Sequence, residues 1–366
     1  MNRNQLKLLF KLQESPVAPV AQLAREIGVS APTVRSWLDE LRENQVFVSV
    51  PADLHEEKIG LEIHSFLVSV RSYDAVTKLE AFCDAHPYTS YRGRIFGGRH
   101  QGLFLQFREP SDAKEYVLDA LLTMKEKGIV SKIREFPNLS SWKSINTRPK
   151  LHAWNPSQMV WEFDWEQWWN NIRKEPDHHD YESRGAVQAI PIDGFDVQLL
   201  QEITKDARRK NTDIIRALGR DPYEKGLQQD VSRRIRRLEK EVVKSYRLFI
   251  NWTYFDVYNT PMVIAKADKD QVEILMYHLE NSVFPFGSNI RRIEGGFIWS
   301  ARLPSAHLSE MVKLVWEIAD SFELLMIDYK QSQMYALWAE AWNETSQSWR
   351  IGKDFCLNSP LESVIS

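Results

Sequence analysis

The chain has 366 residues, 43 % of them hydrophobic and 27 % charged, and its 47 basic and 50 acidic residues leave a net charge of −3. That length holds about two to three domains with real cores and excludes disorder, and the balanced charge excludes a globally basic nucleic-acid coat. No apolar run approaches the ~18 residues of a membrane span, and Leu6 to Phe10, with Lys7 inside it, reads as the start of a helix rather than a leader, so a cytoplasmic location is expected. Cys83 and Cys356 are too few for a thiolate zinc site or a disulfide framework.

In the first fifty residues, Leu6, Leu9, Phe10 and Leu12 recur at helical spacing, followed by Val20, Leu23, Ala24 and Ile27 and then Gly28-Val29-Ser30. Ser30 is a natural N-cap, Pro32 fits a first turn, and Val34, Trp37, Leu38 and Leu41 form one apolar stripe, leaving Thr33, Arg35, Ser36 and Asp39 largely outward. Val46 to Val50 has the β-branched pattern of a wing strand. The period then changes to two, and strand-like and helix-like stretches follow in the order βαββαβ: 61–71, 73–85, 88–96, 102–108, 111–127 and 129–136. Such an order places both helices on one face of an antiparallel sheet and leaves the other face to be covered.

Residues 137–191 carry Trp142, Trp154, Trp161, Trp165, Trp168 and Trp169, six of the thirteen tryptophans. Glu162, Asp164 and Glu166 among them would repel phosphate, so a packed connector is expected rather than a base-stacking platform. Asp177-His178-His179-Asp180 has metal-ligand residue types without regular spacing and reads as solvated linker, so no metal or cofactor is expected.

A second helical segment places Phe195, Leu199, Leu200 and Ile203 on its first helix, Thr212 to Ile215 on its second and Val231 to Glu239 on its third. From Lys205 to Arg247 there are fourteen Lys or Arg against seven Asp or Glu, a local excess in a chain that is slightly acidic. With Val231, Ile235 and Leu238 inward, Arg233, Arg236 and Arg237 project outward beside Ser232, and Arg234 lies at the boundary; arginine forks suit guanine edges and phosphates. The βαββαβ order then recurs over 258–267, 270–281, 284–293, 296–303, 306–320 and 322–329. Three blocks match between the halves at offsets of 196 to 198, including Arg94 to Gly98 against Arg292 to Gly296, which argues for a duplicated unit. Beyond Lys330, Met334, Leu337, Trp338, Ala341 and Trp342 have helical spacing, so the tail is expected to be helical and to pack back on the sheets.

Asp206-Ala207-Arg208, Thr212-Asp213-Ile214, Leu218-Gly219 and Val231 to Glu239 resemble the winged helix-turn-helix of the Lrp/AsnC (leucine-responsive, feast/famine) transcription regulators, and Gly28 to Val34 resembles the same turn. The resemblance implies an α+β chain of two winged helix-turn-helix domains, each followed by a ferredoxin-like βαββαβ domain, arranged as an internal pseudo-dimer. The corresponding boundaries are 1–55, 56–137, a connector at 138–192, 193–250, 251–330 and a tail at 331–366. It further implies a sequence-specific DNA-binding regulator, not an enzyme, that homo-oligomerises and reads an asymmetric site on double-stranded DNA through Thr33, Arg35, Ser36, Ser232, Arg233, Arg234, Arg236 and Arg237. Arg220 to Lys225 lengthen the second turn, and the first half's third helix is only weakly basic.

Members of that family sense amino acids or other small molecules at their sheets, which makes Arg94, Gly97, Gly98, His100, Arg292, Gly295 and Gly296 candidate effector contacts, with Arg92, Arg99 and Arg291 beside them. Hairpin geometry asks for the glycines in any case. The plan also resembles that of siroheme decarboxylases, in which Arg and His would bind a poly-carboxylate tetrapyrrole and protonate it; His86 and His100 lie near suitable strands, whereas His278 lies on a helix. A third reading, a protein-interaction scaffold derived from a regulator, would follow if the arginines of the third helix were held in salt bridges.

Overall fold

The computed structural model describes residues 1–98, 100–136, 144–171 and 187–365. Helices α1 (Arg3–Glu14), α2 (Val20–Ile27) and α3 (Ala31–Glu43) come first, with short strands β1 (Phe47–Ser49) and β2 (Ala52–Leu54) behind them. Then follow β3 (Glu62–Val70), α4 (Tyr73–Ala85), β4 (Thr89–Gly97), β5 (His100–Glu109), α5 (Lys114–Glu126) and β6 (Val130–Phe136). The connector contributes β7 (Ser144–Thr147), β8 (Trp154–Asn155), β9 (Val160–Trp161) and α6 (Trp165–Asn170). A second set comprises α7 (Gly194–Asp206), α8 (Asn211–Ala217), α9 (Leu227–Glu241), β10 (Val243–Tyr246), β11 (Phe249–Ile250), β12 (Asn259–Lys266), α10 (Lys269–Asn281), β13 (Ser288–Ile293), β14 (Gly296–Ala301), α11 (Leu308–Ile318) and β15 (Ser321–Asp328). The chain closes with β16 (Gln333–Met334), β17 (Trp342–Asn343), β18 (Ser348–Trp349) and α12 (Ser359–Ile365).

Local chemistry accounts for the helix ends. Asn2 and Asp193 form capping boxes with Gln5 and Asp196, Ser30 accepts from the Thr33 N–H at 3.2 Å, and Gly28 takes the left-handed conformation (φ +81°) that ends α2. Three residues separate α2 from α3, whereas nine separate α8 from α9, and Gly226 starts α9 without a side-chain cap.

Among the described residues, β3–β6 and β12–β15, with β7 and β16, join in one ten-stranded sheet of order β6-β3-β5-β4-β15-β12-β14-β13-β7, with β16 on β4. The halves meet where Met326 and Ile327 of β15 pair with Phe96 and Ile95 of β4. Arg291 of β13 nonetheless donates to Ser65 Oγ of β3 at 2.9 Å, although six strand steps, roughly 29 Å in a flat sheet, separate them. The sheet therefore doubles over, and Leu67, Phe104 and Phe136 meet Met262, Ile264, Ile298, Leu325 and Ile327 in an apolar layer between its facing halves.

The first helix trio shares its core with the second half of the sheet: Leu9, Leu23 and Leu38 belong to one cluster with Trp154, Phe284, Phe286 and Trp299. The second trio (Leu199, Ile214, Val231) packs with Tyr88, Ala113, Leu337 and Trp349. The strand expected to be a local wing pairs across the chain instead, β1 with β11 and β2 with β10. The tail is not the helix its spacing suggested. Trp342 pairs with Trp349 in a hairpin as Trp154 pairs with Trp161, and the second indole of each, on Trp349 and Trp161, donates to Ile59 O at 2.6 Å and Phe255 O at 2.7 Å. The apolar side chains satisfied both a helical repeat and this packing, and the indole-to-carbonyl bonds favour the hairpin. Asp354–Asn358 and α12 are helical at the end, and Leu361 and Val364 of α12 close the core over α4.

Candidate active site

Two faces of the sheet treat their arginines differently. On the face toward α4, Arg94 donates from Nε and Nη2 to both oxygens of Glu80 at 2.8 Å and from Nη1 to Tyr73 OH at 2.5 Å. Arg92 is held by Glu80 at 2.9 Å, Asp84 at 3.1 Å and Tyr335 at 2.7 Å, and Arg292 stands 3.5 Å from Glu273. These cations are neutralised within the fold. The glycines beside them have steric reasons to be there: a Cβ on Gly97 (φ +134°) would lie 2.7 Å from Leu324 O, and one on Gly296 1.9 Å from Ala265 O. Gly98 and Gly295 take positive φ in the turns, and Arg99 lies outside the described residues. His100 contacts Ser69 Oγ at 3.0 Å and Glu323 at 3.5 Å, with burial lowering its pKa.

On the inward face the balance reverses. Arg291 donates to Ser65, which also accepts from Gln106 Nε2 at 3.2 Å, while its own Nε is buried with no acceptor among the described residues. Arg302, just past β14 on the face of Ile298, has no hydrogen-bond acceptor for its guanidinium among the described residues; it lies 5.6 Å over the Tyr329 ring. Both side chains keep some surface, yet burial pushes Arg291 down to about 10 and lowers Arg302. Burial thus disfavours the charged form of both guanidiniums. Tyr91, hydrogen-bonded to Ser332 Oγ at 3.0 Å, feels the Arg302 charge, and burial raises its phenol. Two cations with no carboxylate against them among the described residues are costly unless an anion completes the site.

Other candidates fail on charge or access. An open cleft of about 620 Å³ is lined by Glu162, Phe163, Asp164, Trp165, Glu166 and Glu310, and would repel carboxylates. Trp154, Trp161, Trp165 and Trp168 are buried in the core, while Trp142 and Asp177 to Asp180 lie outside the described residues. His86 is buried against Cys356 O at 3.0 Å and pushed down to about 3; His278 is buried beside Trp168 and Trp169 and pushed down to about 4.

In the third helices, Arg35, Ser36, Arg233 and Arg236 are exposed, Thr33 bonds Ser30, and Ser232 is half-buried. Arg234 binds Asp193 and Asp196 at 2.8 Å and Asp230 at 3.1 Å, Arg237 binds Asp196, and Arg233 binds Asp230 at 2.5 Å. Much of the basic charge on α9 thus holds α9 to α7.

Residues 1–46 match a winged helix-turn-helix DNA-binding family. No curated protein matches the chain in sequence. Among solved structures, the siroheme decarboxylase NirDL is similar over 99 % of this chain and 98 % of its own, at 11 % identity and a TM-score of 0.52. The same enzyme in complex with an iron-uroporphyrin III analogue covers 92 % and 94 %, at 10 % identity and a TM-score of 0.52. A transcriptional regulator from Neisseria meningitidis, in complex with L-Met, covers 37 % of this chain and 87 % of its own, at 21 % identity and a TM-score of 0.31. The expectation of a DNA-binding regulator that is not an enzyme is corrected by the first two matches: the fold of the whole chain is one seen in an enzyme.

Arg302 and Tyr91 escaped the reading of the sequence, and Arg291 entered it only as a neighbour of the turn. Their alternation with apolar strand residues was the available signal. It gives the face on which an arginine sits, but not whether a carboxylate faces it.

Proposed function

We propose that this protein is an enzyme of the siroheme-decarboxylase kind, removing carboxylate as CO2 from a poly-carboxylate tetrapyrrole held between the facing halves of its sheet. The observation that carries the reading is the pair Arg291 and Arg302, two half-buried cations on one sheet face with no carboxylate partner among the described residues. Four residues of strand, roughly 13 Å, separate Arg291 from the position opposite Arg302, so the pair suits a ligand with several carboxylates around a wide frame. Loss of CO2 breaks a carbon–carbon bond and leaves its electron pair on the side-chain carbon, which must take up a proton. Tyr91, beside Arg302, is the phenol placed to hold that proton, and the enclosed setting keeps water away.

The same reading treats the chain as two copies of one unit forming a pseudo-dimer, with the boundaries at 55, 137, 192, 250 and 330 given above. The recurring tryptophan hairpins and the crossed helix trios support it. The helix-turn-helix segments then serve as walls that carry the sheet halves, consistent with Arg233, Arg234 and Arg237 of α9 being tied to Asp193, Asp196 and Asp230.

Anaerobic incubation with siroheme, followed by mass analysis of the extracted tetrapyrrole, tests the assignment. A product lighter by one or more CO2 is expected from the wild type and a much reduced yield from Arg302→Met. Recovery of unaltered siroheme from folded wild-type protein would sink the assignment.

A further inference from the structure

Closer to solvent, three chain segments bring another group of charges together. Arg148 follows β7, Arg247 sits between β10 and β11, and Asp53 is the middle residue of β2. Asp53 lies 3.7 Å from Arg148 and 3.4 Å from Arg247, ion-pair distances with no hydrogen bond to either among the described residues, and accepts instead from Ser245 Oγ at 3.3 Å. Arg148 donates to the Tyr246 carbonyl, and the buried Nε of Arg247 has no acceptor among the described residues. Of the nearby carboxylates, Glu239 is engaged by Tyr246 OH at 2.6 Å and Glu56 pairs with Arg108 at 3.6 Å.

The backbone links this group to Arg302. Gly287 O accepts the Arg302 N–H at 2.8 Å, and a Cβ on Gly287 would come within 2.8 Å of Pro149, so the residue after Arg148 rests on the strand opposite Arg302. Side-chain exposure falls from 42 % at Arg148 to 34 % at Arg247, and Arg302 is enclosed beyond them, within reach of the Arg247 charge. The positive charge thus forms a graded series from solvent inward, with one loosely held carboxylate beside it.

We propose that Arg148 and Arg247 form an outer anion subsite that captures the carboxylates of an incoming polycarboxylate ligand and hands them on to Arg302. The proposal rests on the tetrapyrrole reading above. Asp53 keeps the two forks apart while the subsite is empty, and an arriving carboxylate replaces its long contacts with charge-assisted hydrogen bonds. Such a subsite acts on encounter, because a cationic mouth beside low-dielectric walls raises the association rate and makes it salt-dependent.

Stopped-flow quenching of the intrinsic tryptophan fluorescence by uroporphyrin III, a metal-free porphyrin octacarboxylate, tests this at several ionic strengths. For Arg148→Gln/Arg247→Gln we expect association slowed about tenfold at low salt with a flattened salt dependence and little change in dissociation. Arg302→Gln is expected to act mainly on dissociation. If the double variant does not fold, the exposed single variant Arg148→Gln carries the measurement, with a smaller effect of the same kind. Wild-type association and salt dependence in a folded variant would overturn the outer subsite and leave the decarboxylase reading standing. Failure of the wild-type protein to bind uroporphyrin III would overturn both.

Discussion

Arg291 and Arg302 make opposite demands on folding and on binding. A half-buried guanidinium with no acceptor among the described residues opposes folding, so Arg302→Met should leave the unfolding midpoint unchanged or raised, while weakening uroporphyrin III binding by about 2 kcal/mol or more. Thermal unfolding and equilibrium titration of the same variant check the two arms, and a variant that unfolds earlier without losing affinity would make Arg302 a structural residue. The buried imidazoles set an acid limit of their own. Burial pushes His86 down to about 3 and His278 to about 4 from an ordinary 6.5, so between those values and 6.5 the unfolded chain takes up protons that the folded chain does not. Stability should therefore fall as pH is lowered through that window, each imidazole contributing up to about 1.4 kcal/mol per pH unit. Denaturant unfolding from pH 7 to pH 4 would reveal this, and a shallower slope is expected for His278→Gln.

At the scale of the element, α9 separates two roles that its sequence leaves mixed. Arg234 and Arg236 are two residues apart, yet one is engaged by Asp193, Asp196 and Asp230 while the other is exposed. Arg234→Ala should destabilise by about 1 to 3 kcal/mol, because Asp196 is buried, whereas Arg236→Ala should stay within about 0.5 kcal/mol. Equal effects in urea unfolding would remove α9 from its stapling role. The helices and strands themselves were legible: Ser30 as a cap, the stripe Val34, Leu38 and Leu41, and the βαββαβ order all follow from period and capping chemistry. The tail was not, because Leu337, Trp338, Ala341 and Trp342 fit a helical repeat. The seven-residue spacing of Trp342 and Trp349, shared with Trp154 and Trp161, was the overlooked sign of a hairpin. The candidate site was not legible either, since Arg94 and Arg302 look alike until Glu80 is found against one and, among the described residues, no carboxylate against the other.

For the molecule as a whole, the crossed cores couple the halves. Leu9 and Leu38 share a cluster with Phe284 and Trp299, and β1 and β2 pair with β11 and β10, so neither half encloses its own core. Residues 1–190 and 191–366 expressed separately should aggregate or remain unfolded, and together they should recover a soluble complex. A soluble, cooperatively folding single half would show that the crossed packing is dispensable. Such coupling suits a site assembled from both halves, in which Ser65, Tyr91 and Gln106 face Arg291 and Arg302. That assembly is the central claim, and equilibrium titration with uroporphyrin III tests it most directly. Wild-type protein should bind the octacarboxylate, and Arg291→Met/Arg302→Met, folded as judged by its unfolding midpoint, should bind it at least tenfold more weakly. Equal affinity of the two proteins would contradict the placement of the ligand between the sheet halves.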